Sequence, residues 1–274
     1  MGFAAMLAGV TAAAHVHVQI GYGQGRWDLH VYDFDSGRSD PADVLLVVSP
    51  AARGVIADDP RYAAFLGTPG DPVWILPQHA VEGILDLGVG TSAIGPGVFA
   101  NNQVRLHLEA FEGPGDFALF TTTALGAPVV SMATRDGVDA EADVLSVPAV
   151  GGHLHLNWAF TAPGRYRVLL GASGRLVATG EISRSEPVAY HFEVRLLPLR
   201  FEAVERAGRG AWVLALRGEP GMEVMFEHSA EGGPWAQWSA VPDERPRLDA
   251  AGFWQGELPL GTEGVVWVRA RYSL

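Results

Sequence analysis

Cysteine is absent from the 274 residues, and so is lysine: all 19 cationic side chains are arginine. Without thiols, disulfides, thiolate metal sites, iron–sulfur clusters and cysteine nucleophiles are excluded. Without lysine, Schiff-base chemistry is excluded too. Positive charge is scarce throughout, and the net charge is −12. Nucleic-acid phosphates and anionic lipid both need cations opposite them, so neither is an expected partner. No later apolar run reaches the roughly 20 residues of a membrane-spanning helix, and heptads and long helical periodicity are missing. The motifs of common catalysis are missing as well. There is no G-x-S-x-G elbow, no H-E-x-x-H helix and no phosphate-cradling G-x-x-x-x-G-K. "GYGQG" at 21–25 lies between strand-like runs rather than before a helix, so it does not read as a nucleotide loop. Glu109 with Glu112, and Asp139 with Glu141 and Asp143, fall in turn-like or exposed contexts, so paired-carboxylate glycosidase chemistry is not expected. The chain reads as non-enzymatic.

What is present is apolar and turn-rich. Hydrophobic residues make up 48%, with 34 Gly and 18 Pro. Pro or Gly interrupts the chain about every eight to twelve residues, the spacing of short strands in a β-sandwich or jelly roll. "WDLHVYD" (27–33), "VRLHLEAF" (104–111) and "YHFEVRLL" (190–197) alternate with period two. "DVLLVVS" (43–49) suits a strand buried on both faces. "DPRYAAFLG" (59–67) predicts one short helix with Pro60 in its first turn. "MGFAAMLAGVTAAA" (1–14) has the apolar stretch and small-residue end of a secretory leader, though not its cationic start. The reading is therefore an all-β chain: a leader remnant at 1–14, a jelly-roll-like or β-sandwich domain at 15–197, and a small immunoglobulin- or fibronectin III-like sandwich at 198–274. Five of the eight tryptophans (212, 235, 238, 254 and 267) fall in that last segment. They suit a small core, or stacking on sugars if exposed, which makes polysaccharide an alternative partner.

Nine histidines are present, and four of them form two H-x-H pairs: His15 with His17, and His153 with His155. Side chains at i and i+2 of a strand share a face, about 6.5–7 Å apart. Asp28 and His30 share a face in the same way. If these strands are neighbours, His15, His17, His30, His153 and His155 could converge on a transition metal, with Asp28 a ligand or an outer acceptor. Neutral imidazole suits zinc or copper, and also nickel and iron. Asn157 continues the His153 and His155 face and is a candidate hydrogen-bond partner for an imidazole. Trp158 continues the Leu154 and Leu156 face and is expected in the core. His107 and His191 read as solvated strand positions between charged residues. Two further metal readings exist. Cleavage after Ala14 would leave an N-terminal His-Val-His that wraps copper or nickel. "DFDSGRSD" (33–40) spaces Asp33, Asp35 and Asp40 like a calcium loop, and equally like a hairpin turn.

"HVHVQIGYGQGRWDLHVYD", "FLGTPGDPVWILPQ", "PGVF", "GPGDFALF" and above all "HLHLNWAFTAPGRY" give residues 15–180 a resemblance to the choice-of-anchor M proteins, close to the actinobacterial surface-anchored protein domain. The resemblance implies a secreted or cell-surface bacterial protein without established catalysis. Some such proteins are encoded beside transporters resembling metal-uptake systems. The family's first motif usually reads Gly-His-x-Asp; here Ala14 precedes His15, and His17 stands where Asp is usual. That exchange of carboxylate for imidazole weakens any hard-cation assignment. No familiar anchor follows, so the resemblance implies a protein released, tethered by its C-terminal module, or truncated. "MEVMFEHSAEGGPWAQWSAV" (222–241) is similar to fibronectin III-like modules.

Overall fold

The computed structural model describes residues 8–10, 14–207, 211–229, 234–237, 246–259 and 267–273. Most of the expected leader therefore lies outside the described residues; within it, Ala8–Val10 pair in parallel with Val44–Leu46 at a sheet edge. The chain is nearly all β and forms two compact units, Met1–Arg195 and Leu196–Leu274.

The first unit is an all-β sandwich built from three sheets. One has seven strands and includes Val44–Val48, Gln103–Glu112, Gly164–Arg175 and Val188–Val194. Val44–Val48 is buried at every position, as its unbroken apolar run requires. A second sheet has five strands and includes Pro72–Leu76, Phe117–Thr122 and Asn157–Phe160. The helix Pro60–Leu66 packs Phe65 and Leu66 against it; Asp59 caps its first turn, and Gly67, at φ 121°, ends it. The third sheet runs, in spatial order, His153–His155, Asp86–Ile94, His15–Gly23, Arg26–Asp33, Gly37–Ser39.

Trp158 ties the three sheets together. It is fully buried on the second sheet, faces Phe192 of the first at 5.8 Å, and donates its indole N–H to the Leu87 carbonyl of the third. Its burial follows from the Leu154–Leu156–Trp158 alternation. The chain changes sheets at Leu156, however, so His153–His155 and Asn157–Phe160 are separate strands. Asn157 consequently does not reach an imidazole. It accepts from the Gln78 backbone N–H and donates to Gln78 Oε1 and Thr122 Oγ1. His107 also departs from expectation: it is buried, with Nδ1 2.7 Å from the Ala140 carbonyl and Nε2 2.7 Å from Ser173 Oγ. The strand Val144–Pro148 covers this side of Gln103–Glu112, and its neighbouring turn supplies the Ala140 carbonyl. His191 is half-buried, and burial holds its pKa below the ordinary value.

Among its described residues the second unit contains two three-stranded sheets and a core of Leu214, Leu216, Val224, Phe226 and Leu248. Trp212 and Trp254 pack against that core. Trp235 and Trp267 are exposed, and the Arg269 guanidinium lies 4.2 Å from the Trp235 ring centre. Trp238 lies outside the described residues.

Candidate metal centre

The strand His15–Gly23 sits inside its sheet because Val16, Val18 and Ile20 all point into the core, each fully buried. That leaves His15, His17 and Gln19 on the other face. Register then determines what meets them. Across the parallel pairing to Asp86–Ile94, His15 lies opposite Asp86, His17 opposite Gly88 and Gln19 opposite Gly90. On the far side of that middle strand, His155 also pairs with Gly88, and His153 with Gly90. One row across three strands therefore reads His17–Gly88–His155, and the next reads Gln19–Gly90–His153.

Strands two apart are separated by about 10 Å, too far for imidazoles to touch across an intervening side chain. The middle positions are glycine. A Cβ at Gly88 would lie 2.8 Å from His17 Cδ2 and 3.0 Å from its Nε2; one at Gly90 would lie 2.8 Å from His17 Nδ1. The His17 ring thus lies across bare backbone. Its Nε2 is 3.1 Å from His15 Nε2, which is in turn 3.3 Å from His155 Nε2. These three histidines are the only group of three or more ligand-type side chains, among the described residues, placed to hold a metal ion together. Each ring nitrogen offers one in-plane site, a proton or a lone pair, so hydrogen bonds serve such a trio incompletely, whereas one central cation serves all three.

The charge environment favours neutral rings. Burial, then the neighbouring His15, His155 and His153, push the His17 pKa down to about 4. Burial also lowers that of His155, against the opposing pull of Asp86. Asp86 Oδ1 stands 2.8 Å from His155 Nδ1, off the line of a well-formed hydrogen bond, and Asp86 Oδ2 is 3.9 Å from His15 Nε2. A carboxylate at Nδ1 favours the tautomer that leaves Nε2 free to ligate. Phe34 stacks on His15 at 4.2 Å and 7°, and meets the edge of His17 at 4.9 Å. Its backbone N–H donates to the His15 carbonyl, which fixes it there. The turn before His153 is held by Thr91, whose backbone N–H donates to the Gly152 carbonyl, and by Gly151 at φ 57°.

Of the six residues expected at a site, His15, His17 and His155 converge. His153 lies beside them, its ring 5.7 Å from that of His17, but outside the three-nitrogen group. His30 and Asp28 do not join. His30 pairs across the sheet with Gln19, one row beyond His17, and its Nδ1 faces Asp28 Oδ2 at 3.2 Å. Asp28 is bound by Arg38 at 2.7 Å, which holds its carboxyl below the usual range. Arginine in that position satisfies the carboxylate locally. The segment 33–40 is a hairpin turn. Asp33 Oδ1 accepts from the Asp35 and Ser36 backbone N–H groups, and Asp40 Oδ1 accepts from that of Ala42. The converging atom of His15 is Nε2, the ring nitrogen farther from the backbone, so a chelate of an N-terminal amine with Nδ1 does not use this cluster. Asp86, Gly88 and Gly90 were not singled out from the sequence. Their signal is the alternation "DLGVG" (86–90), whose outer positions are acid, glycine and glycine between buried Leu87 and Val89.

Comparison with protein-family models finds no match to this chain, and none of the curated proteins matches it.

Proposed function

We propose that this chain is a non-catalytic protein, exported to the bacterial surface or beyond, that holds zinc or copper through His15, His17 and His155. One observation carries the metal reading: Nε2 atoms from strands two apart lie 3.1 and 3.3 Å from a shared histidine. Nitrogens bound at 2.0–2.1 Å around a tetrahedral zinc are separated by about 3.3–3.4 Å. Three imidazoles suit zinc or copper and do not suit calcium or magnesium, which take oxygen. Export is supported by the leader-like stretch at 1–14 and by the choice-of-anchor M resemblance. Purified protein loaded with zinc or copper and dialysed at pH 7.5 retains about one ion per chain, read by elemental analysis, and His15→Ala, His17→Ala and His155→Ala each lose it. Wild-type protein without stoichiometric metal overturns the reading.

A second reading, a surface module adhering to polysaccharide, is supported by the exposed Trp267, 59% accessible on the second unit. Retention on insoluble glycan that survives Trp267→Ala and Trp235→Ala removes it.

A further inference from the structure

The three ligands of the proposed centre are not equally enclosed. His15 and His17 line a cleft of about 450 Å³; His155 and Asp86 do not. A tetrahedral ion held by three nitrogens keeps a fourth position, and here the open side is the one bounded by His15 and His17. The rest of the cleft is formed by Gln19, Tyr32, Phe34, Gly90, Ser92, Gly151, Gly152 and His153. Phe34, 54% exposed, presents one face to His15 and meets the edge of His17, and Tyr32 stands perpendicular to it at 5.3 Å. The same cleft holds N–H donors: the His153 ring and the Gln19 amide, which donates to Ser92 Oγ at 3.1 Å. Among the described residues no carboxylate lines the cleft, although the chain carries 31 acidic residues. Three neutral imidazoles bring no charge to a divalent ion, and the Asp86 carboxylate, 3.9 Å from His15 Nε2, offsets at most one of its two charges, which leaves an anionic fourth ligand favoured.

Resting on the metal reading above, we propose that the fourth position takes the carboxylate of a small organic acid whose flat apolar body lies against Phe34 and Tyr32. One carboxylate oxygen binds the ion, the other accepts from the His153 ring N–H, and the hydrocarbon fills the aromatic side of the cleft. The volume is within the range of small-molecule sites, and an aromatic body meeting the edges of Phe34 and Tyr32 adds modest selectivity over an acid without a body.

The experiment uses the whole chain loaded with cobalt(II), whose visible absorption reports coordination, titrated with acetate and with benzoate. Both acids shift the spectrum to saturation, benzoate binding about three- to tenfold more tightly. Tyr32→Leu, at unchanged cobalt stoichiometry, narrows the preference while acetate still binds. Cobalt bound with a spectrum that neither acid alters overturns the proposal and leaves the metal centre standing. Equal affinities for the two acids in wild-type protein overturn the role of the aromatic wall without need of any variant. Failure to bind cobalt, zinc or copper overturns the metal reading and this one with it.

Discussion

Asp86 is the residue on which the metal centre can be tested without touching a ligand. It stands at Nδ1 of His155, 2.8 Å away, while Nε2 of the same ring is the converging atom. Replacing the carboxylate by its isosteric amide keeps a potential acceptor and removes the charge. Replacing it by alanine removes both and frees the ring to turn. Outer carboxylates that orient a ligating histidine contribute 10- to 100-fold in metal affinity, about 1.4–2.7 kcal/mol. The Asp86 side chain is 19% exposed, so water screens part of its charge. That places Asp86→Asn near the lower figure, about tenfold, and Asp86→Ala nearer the upper. The assay is competition for zinc against a chromophoric chelator at pH 7.5, with urea unfolding of the metal-free proteins as a control on the fold. If both variants bind zinc within about twofold of wild type while His155→Ala does not, Asp86 does not position that ring. A loss far beyond the hundredfold range would place the carboxylate on the ion itself, where its second oxygen, 3.9 Å from His15 Nε2, points the way.

Four further outcomes follow from the same geometry. His17 has its pKa lowered from 6.5 to about 4, so the unfolded chain takes up its proton first on acidification. The His17 contribution to metal-free stability should be fully present above pH 6.5 and lost, by up to about 3 kcal/mol, between pH 6.5 and 4, and His17→Gln should make the fall across that window shallower in urea titrations. Gly90→Ala places a methyl against Gln19 and His17 and should cost about 1–3 kcal/mol in thermal unfolding while abolishing stoichiometric zinc; Gly90→Ala protein with full zinc content would show that bare backbone is not required. His107→Ala removes a buried ring with both nitrogens partnered and should lower stability by about 2–4 kcal/mol with zinc content unchanged. His30→Ala should leave zinc affinity within about twofold, measured by the same competition, because its ring nitrogen faces Asp28 rather than the cluster.

The fold class was legible because the Pro and Gly spacing and the period-two alternation act locally. Val16, Val18 and Ile20 announce a buried face whatever lies beside them. Which polar faces meet was legible only in part. The H-x-H pairs are informative because i and i+2 share a side, and that part held. His30 carries the same alternation and sits on the same sheet face, yet it lies opposite Gln19 rather than His17, with its ring nitrogen toward Asp28, which Arg38 of the next strand holds in an ion pair. The burial of His107 was hidden for the complementary reason. Its flanks, Arg105 and Glu109, read as solvated, but the turn carrying Ala140 and the side chain of Ser173 close on the two ring nitrogens. The first outcome turns on the next strand of the same hairpin and the second on residues 33 and 66 positions away; both depend on which strand became the neighbour.

The same dependence explains why the cluster sits where it does. Histidines on the outer two of three strands stand about 10 Å apart at the backbone. Histidines two strands apart have the room, but the strand between them normally fills it. The Asp86–Ile94 strand resolves the conflict by alternation: Leu87 and Val89 face the core and hold the strand in place, while Gly88 and Gly90 leave the opposite side vacant. The parallel pairing to His15–Gly23 and the antiparallel pairing to His153–His155 share the residue Gly88, so a two-residue slip of either outer strand would set His17 and His155 in different rows. The glycines are therefore as much a part of the centre as the imidazoles. A chain keeping all four H-x-H histidines but carrying side chains at 88 and 90 should fold as the same sandwich and hold no metal.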